Sequence, residues 1–301
     1  MRLILFTGCM MISSLFLHSQ GCSDAGACSI QTFDFELNPE TSKGKILLNF
    51  NQTLALGEKF IFISQTILSM QYNLSSSTYF ELRTPFIFTY GNLGYTSGVG
   101  DLILSASQDF FKNKNFQLTA IIAGRLKTNH ANFNFDNLPL PMAYQTSLGT
   151  NDIILGMQYS RTTWNLYVAY QHPFRRNSNK YLVPDDEANP NKQYFESAYL
   201  KRGDDLYLRG QYYLNLNKNN DLKFTMLNIY RIQKSEIIVD DETVILDGSS
   251  GITINLGVTY TKQIKHNREL SLILAFPVID REYRADGLTR NIVIGISLRN
   301  L

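Results

Sequence analysis

The run Asn291-Ile292-Val293-Ile294-Gly295-Ile296-Ser297-Leu298-Arg299 decides how this chain is read. Ile292, Ile294, Ile296 and Leu298 fall on one side of an extended backbone, and Asn291, Gly295, Ser297 and Arg299 on the other. Successive side chains of a strand point to opposite faces, so a period of two separates an apolar face from a polar one. In a membrane-spanning barrel the apolar face meets lipid and the polar face lines the interior.

The same alternation recurs upstream. Ile252, Ile254, Leu256, Val258 and Tyr260 oppose Thr253, Asn255, Gly257, Thr259 and Thr261. Leu206, Leu208, Gly210, Tyr212 and Leu214 oppose Tyr207, Arg209, Gln211 and Asn215. Working outward gives twelve strands, at 43–54, 60–74, 78–90, 99–110, 116–128, 150–161, 164–174, 201–215, 221–235, 250–264, 269–283 and 289–301. The first two are the least sharply bounded, because Leu54 to Ile63 holds no firm turn. Hydrophobic residues make up 44% of the 301, an average share. Past the N-terminus no run reaches the roughly 18 apolar residues of a membrane helix. Any spanning of a bilayer therefore falls to the strands, and the fold class expected is all-β, an antiparallel up-and-down transmembrane barrel.

The connections sharpen this expectation. From the second strand onward every other connection is short: Ser75 to Ser77, Phe111 to Asn115, Arg161 to Thr163, Leu216 to Asn220, Lys265 to Arg268. The intervening ones are mostly longer: Gly91 to Gly98, Asn129 to Gly149, Arg175 to Leu200, Glu236 to Ser249, with a shorter one at Arg284 to Leu288. Short periplasmic turns and long outer loops are the pattern of outer-membrane barrels. A secreted β-sandwich or soluble periplasmic barrel has less reason for that regularity. Tyr72, Tyr79, Phe80, Phe110, Phe111, Phe116, Tyr159 and Trp164 flank the short turns, where an aromatic girdle belongs.

The N-terminus reads as an export signal over residues 1–19: Arg2, then the apolar Leu3 to Leu17, with cleavage expected after Ser19. Residues 20–42 form a periplasmic segment carrying Cys22 and Cys28, and 43–301 the barrel. In an oxidising compartment two cysteines read first as a disulfide closing a small loop. Lipidation at Cys22, after Ser19-Gln20-Gly21, and a metal site lacking further ligands are the alternatives.

The formal charge of +2 and the absence of a basic block give no sign of nucleic-acid binding. No cofactor is called for. The charges that alternation places inside are Glu81, Arg83, Asp101, Asp109, Arg125 and Lys127. They are candidates for cross-strand pairs or for a charged constriction. Three histidines follow the signal: His130 in a long loop, His266 in a short turn, and His172 at a strand end facing lipid. None accompanies a nucleophile motif, so no enzyme is expected. Asp185-Asp186-Glu187 and Asp240-Asp241-Glu242 are acidic loop tips with a hard-cation alternative. Asn177 to Asn191 reads as a mobile loop.

Ser97-Gly98-Val99-Gly100-Asp101-Leu102-Ile103-Leu104, followed by Asp109-Phe110-Phe111, resembles the Gly-x-Gly-Asp strand start of a family of Gram-negative outer-membrane proteins. That family carries the label of a meta-pathway phenol-degradation or transporter-like family. Cys22 to Cys28 resembles the N-terminal cysteine motif of some of its relatives. The resemblance implies a barrel passing small, often hydrophobic solutes, although Leu301 stands where such barrels usually end in an aromatic. The function expected is a passive outer-membrane conduit for small solutes. The alternatives are a non-transporting barrel that docks a partner through its long loops or cysteine segment and, more remotely, a hydrolase. The partners expected are outer-membrane lipid, lipopolysaccharide, the barrel-assembly machinery and an unnamed small solute.

Overall fold

The computed structural model describes residues 45–184, 189, 193–264, 268–287 and 290–300. The signal, Cys22 and Cys28, Asp185-Asp186-Glu187 and His266 lie outside the described residues. The strands in chain order are β1 (Ile46–Gly57), β2 (Phe62–Asn73), β3 (Thr78–Gly91), β4 (Gly94–Val99), β5 (Leu102–Lys112), β6 (Gln117–Leu126), β7 (Asn134–Phe135) and β8 (Leu138–Pro139). They continue with β9 (Asp152–Ser160), β10 (Trp164–Pro173), β11 (Asp205–Asn217), β12 (Asn220–Arg231), β13 (Glu236–Val239), β14 (Glu242–Ile245), β15 (Gly251–Ile264), β16 (Arg268–Ile279) and β17 (Arg290–Asn300).

The hairpins β7–β8 and β13–β14 belong to loops, and β4 with β5 makes one interrupted wall strand. The remaining wall is a closed antiparallel barrel of 12 strands, in which β1 pairs with β17 and β2 with β3. Closure leaves no unpaired sheet edge, a requirement for backbone in hydrocarbon. All twelve strands expected from the alternation are present. The first lies three residues further along than expected, because the chain turns at Glu58 to Phe60, with Lys59 and Phe60 at positive φ.

Two expectations need correction. Gly91 to Gly98 is not an open loop: β3 and β4 continue as a hairpin around Asn92 and Leu93. The Gly-x-Gly-Asp motif is a break inside a wall strand rather than a strand start. Gly100 N–H turns to Pro85 O at 2.8 Å, and a Cβ at Gly100 would stand 2.9 Å from the Pro85 and Ile87 side chains.

Inward and outward positions follow the sequence pattern. Phe80, Leu104, Ile122, Leu155, Val168, Leu208, Phe224, Leu274, Ile294 and Ile296 are exposed on the outer wall. At the short-turn rim Phe111, Phe116, Tyr159 and Trp164 form a continuous aromatic row across four strands, with ring centroids 5.0 to 5.4 Å apart. Tyrosine and tryptophan at that depth keep an apolar body in lipid and a polar tip in the headgroups. Asp136-Asn137 and Asp240-Asp241, at the tips of the loop hairpins, have positive φ at both residues, the geometry of a tight two-residue turn. The second acidic cluster therefore serves its turn.

Candidate functional site: a roofed, half-filled lumen

The interior divides along the wall. From β3 round to β12 the inward positions carry Tyr79, Ile103, Ile121, Ile154, Tyr167, Tyr207, Leu227 and Ile229, packed as one buried cluster. Arg209 lies over the Tyr167 ring at 5.0 Å, and a Cβ at Gly156 would stand 2.8 Å from that tyrosine's hydroxyl. Tyr207 donates to Gln171 Oε1 at 2.7 Å. Large inward side chains of this kind fill a barrel of this size.

The other side, chiefly β12, β15, β16, β17, β1 and β2, carries small or polar groups: Asn51, Thr53, Gln65, Thr225, Gly257, Thr259, Ser271, Ala275 and Ser297. Here a cavity of about 130 Å³ remains. Its lining runs from Arg299, Glu269 and Lys223, near the short turns, to Arg290 and Val293 at the loop side. It forms an off-centre duct along the wall.

Loops roof the duct. Tyr144, Leu140, Tyr181 and Tyr194 pack on Ile61, Ile63, Ile87 and Leu93. Leu93 N–H donates to Tyr144 Oη at 3.1 Å, and a Cβ at Gly91 would be 2.3 Å from that oxygen, so only glycine admits the ring. Two asparagines staple the roof. Asn179 Nδ2 donates to Ala131 O and Leu140 O at 2.8 and 3.0 Å, and Asn177 Oδ1 accepts from Leu200 N–H at 2.9 Å. Residues 177–183 are therefore held by buried hydrogen bonds, against the expectation of a mobile loop.

Ion pairs fasten the same loops to the strand ends. Arg231 grips Asp205 with two bonds of 2.8 Å and reaches Asp286 at 3.0 Å. Arg284 bridges Glu58 at 2.7 Å and Asp280 at 2.9 Å. Asp152 receives Arg125 at 3.3 Å, and Arg202 from the loop. Buried pairs add little net stability, but losing one partner strands a charge. Their effect is to fix where the loops sit.

The six charges expected inside do not form one group. Glu81 and Arg83 pair with each other along β3, at 2.7 and 2.9 Å. Asp109 accepts from Gln117 and Thr119 at 2.7 and 2.8 Å. Arg125 turns to Asp152. Asp101 sits at the strand break and takes Ser147 Oγ and, at 3.0 Å, Leu148 N–H, so it anchors the roof. Lys127 lies beyond β6, its Nζ 3.3 Å from His130 Nδ1. The outward His172 pairs with Asp204 at 2.7 Å. Sequence reading missed Arg290, Gln65, Asp152, Arg202 and the tyrosines of the roof. Gln65 was open to the alternation rule, but Arg290 was not: it shares the parity of the outward Ile292, and the register shift opposite Leu56 and Gly57 turns it inward. The loop residues carried no periodic signal.

A closed barrel with an apolar outer band, an aromatic rim, short turns at one end and folded loops at the other defines the class of transmembrane β-barrels. Solved structures agree with that class. The COG4313 outer membrane channel from Pseudomonas putida F1 is 17% identical, with a TM-score of 0.58 over 88% of this chain and 99% of that one. The NanC porin is 6% identical, with a TM-score of 0.50 over 84% of this chain and 99% of that one. At such identities the likeness is one of fold. No protein-family model matches the chain, and no curated protein does.

Proposed function

We propose that this barrel is a passive conduit for small solutes, with the loop roof as its outer gate. The observation carrying this reading is the cavity, whose lining residues, hydroxyl and amide side chains among them, extend from the short-turn end to the underside of the roof. A plain structural core has no need of small inward residues along one wall, since close packing is what stabilises an interior. The resemblance to the meta-pathway family favours small solutes, whereas the polar lining argues against a wholly hydrophobic cargo. Outer-membrane lipid and lipopolysaccharide suit the apolar band and aromatic rim. As a closed outer-membrane barrel, the chain would reach its site through the barrel-assembly machinery.

Single-channel recording of the folded full chain in a planar bilayer tests the reading, with folding checked by heat-dependent gel mobility. The wild type should show small steps. In Gly91→Ala the new methyl displaces Tyr144, a strain of about 1–3 kcal/mol on the roof, and the steps should become larger and longer. Absence of conductance in both folded proteins would overturn the conduit. The second reading would then stand, a barrel whose fixed roof receives a partner, which the ion-paired loops favour.

A further inference from the structure

Arg290 differs from six of the other buried arginines. Arg83, Arg125, Arg202, Arg231, Arg281 and Arg284 each meet a carboxylate. Arg290 is only 6% exposed, and among the described residues its side chain meets one neutral partner, Gln65 Oε1 at 3.2 Å. A guanidinium carries five N–H donors and stays ionised. Out of bulk water it calls for a counter-charge. Both residues line the duct at its roof end.

The electrostatics of the duct point the same way. Lys223, Arg290 and Arg299 line it against Glu81 and Glu269, and both oxygens of Glu81 are already held by Arg83. Among the lining residues Ile273, Ala275 and Val293 offer apolar surface.

We infer that the roof end of the duct is a binding site for a small monocarboxylate with a compact apolar body, its carboxylate held by Arg290 and the amide of Gln65. This rests on the conduit reading for its access route and names the solute class that the route would favour. A planar carboxylate matches the guanidinium fork and can take two parallel hydrogen bonds. The Gln65 carbonyl holds Arg290 in place, which leaves the Gln65 NH2 as a further donor.

Titration calorimetry on the folded full chain tests the site, with benzoate as probe and benzamide as its uncharged counterpart. Benzoate should bind and benzamide should fail to compete. Arg290→Gln should weaken benzoate at least tenfold. Arg290→Lys should recover part of the loss, and Arg299→Gln, at the far end of the duct, should leave binding near wild type. Equal binding of benzoate and benzamide, or an Arg290→Gln protein that is folded by gel mobility and binds as the wild type, would overturn the site. Conductance without benzoate binding removes the site and leaves the conduit. Benzoate binding lost in Arg290→Gln, without conductance, removes the conduit and leaves the site.

Discussion

The two sides of the lumen are built on one backbone plan and come to opposite ends. On β6, β9, β10 and β11 the inward positions hold Ile121, Ile154, Tyr167 and Tyr207, which pack into one buried cluster. On β15, β16, β17 and β1 the equivalent positions hold Gly257, Ala275, Ser297 and Asn51, and a duct remains. Strand pairing and alternation are the same in both. The size of the inward side chain decides whether a wall segment is packed core or borders a cavity.

That comparison is open to direct attack. The largest effect is expected from making the open side resemble the filled one. A Cβ at Gly257 meets Leu274 O at 3.5 Å and Ala275 Cβ at 3.7 Å, ordinary contacts, so a larger side chain there projects into the duct. Gly257→Phe should cut conductance on the order of tenfold, since an aromatic ring fills a barrel interior of this size. Unchanged conductance would mean that solute passes elsewhere.

The converse substitution, Tyr167→Ala, removes a ring from the filled side. It should cost about 3–5 kcal/mol in denaturant unfolding, in line with other large-to-small core changes. The side chains around the gap determine whether a second path opens. A rise in conductance would show that the filled side is kept shut by this ring, and a stable protein with no change would show that the neighbours collapse.

The smallest effect concerns the roof. Burial pushes the phenols of Tyr144, Tyr181 and Tyr194 above the ordinary value of 10.0. A raised value favours the neutral phenol in the docked loop. Its contribution to docking is fully present below pH 10.0 and is lost as pH climbs through the raised values. Conductance of the wild type should therefore grow modestly in alkaline solution, whereas Gly257→Phe should not follow. Growth in both would place the alkaline change outside the duct.

Much of the wall was legible in the sequence because its two solvents differ. Lipid outside and polar groups inside impose a period of two on every strand, and Ile292 to Arg299 shows it without help from the fold. The short turns were legible for the same reason, as interruptions of that period. The roof was not. Asn177, Asn179 and Tyr181 look like any polar, proline-flanked loop, and their burial depends on Ala131, Leu140 and Leu200 arriving from elsewhere. Charge pairing failed for a related reason. The alternation turned Glu81, Arg83, Asp109 and Arg125 inward, where they lie buried, but the partner of Arg125 is Asp152, on a strand that follows a long loop. Alternation gives the face of a residue and says nothing of its rung.

The pairing of β1 with β17 has a consequence for assembly. Ser297 Oγ donates to Asn49 Oδ1 across 248 residues of chain, and the whole ladder from Asn49↔Arg299 to Gly57↔Arg290 spans a similar distance. The two strands cannot find each other until the last few dozen residues have been delivered. Until then the growing sheet has two raw edges, each a template for wrong pairing. Local hairpins can form early, but the final seam is a long-range contact of the kind that slows folding. The chain is thus a cylinder that exists only once its last strand has arrived, and its two ends must be kept apart from other chains until they meet.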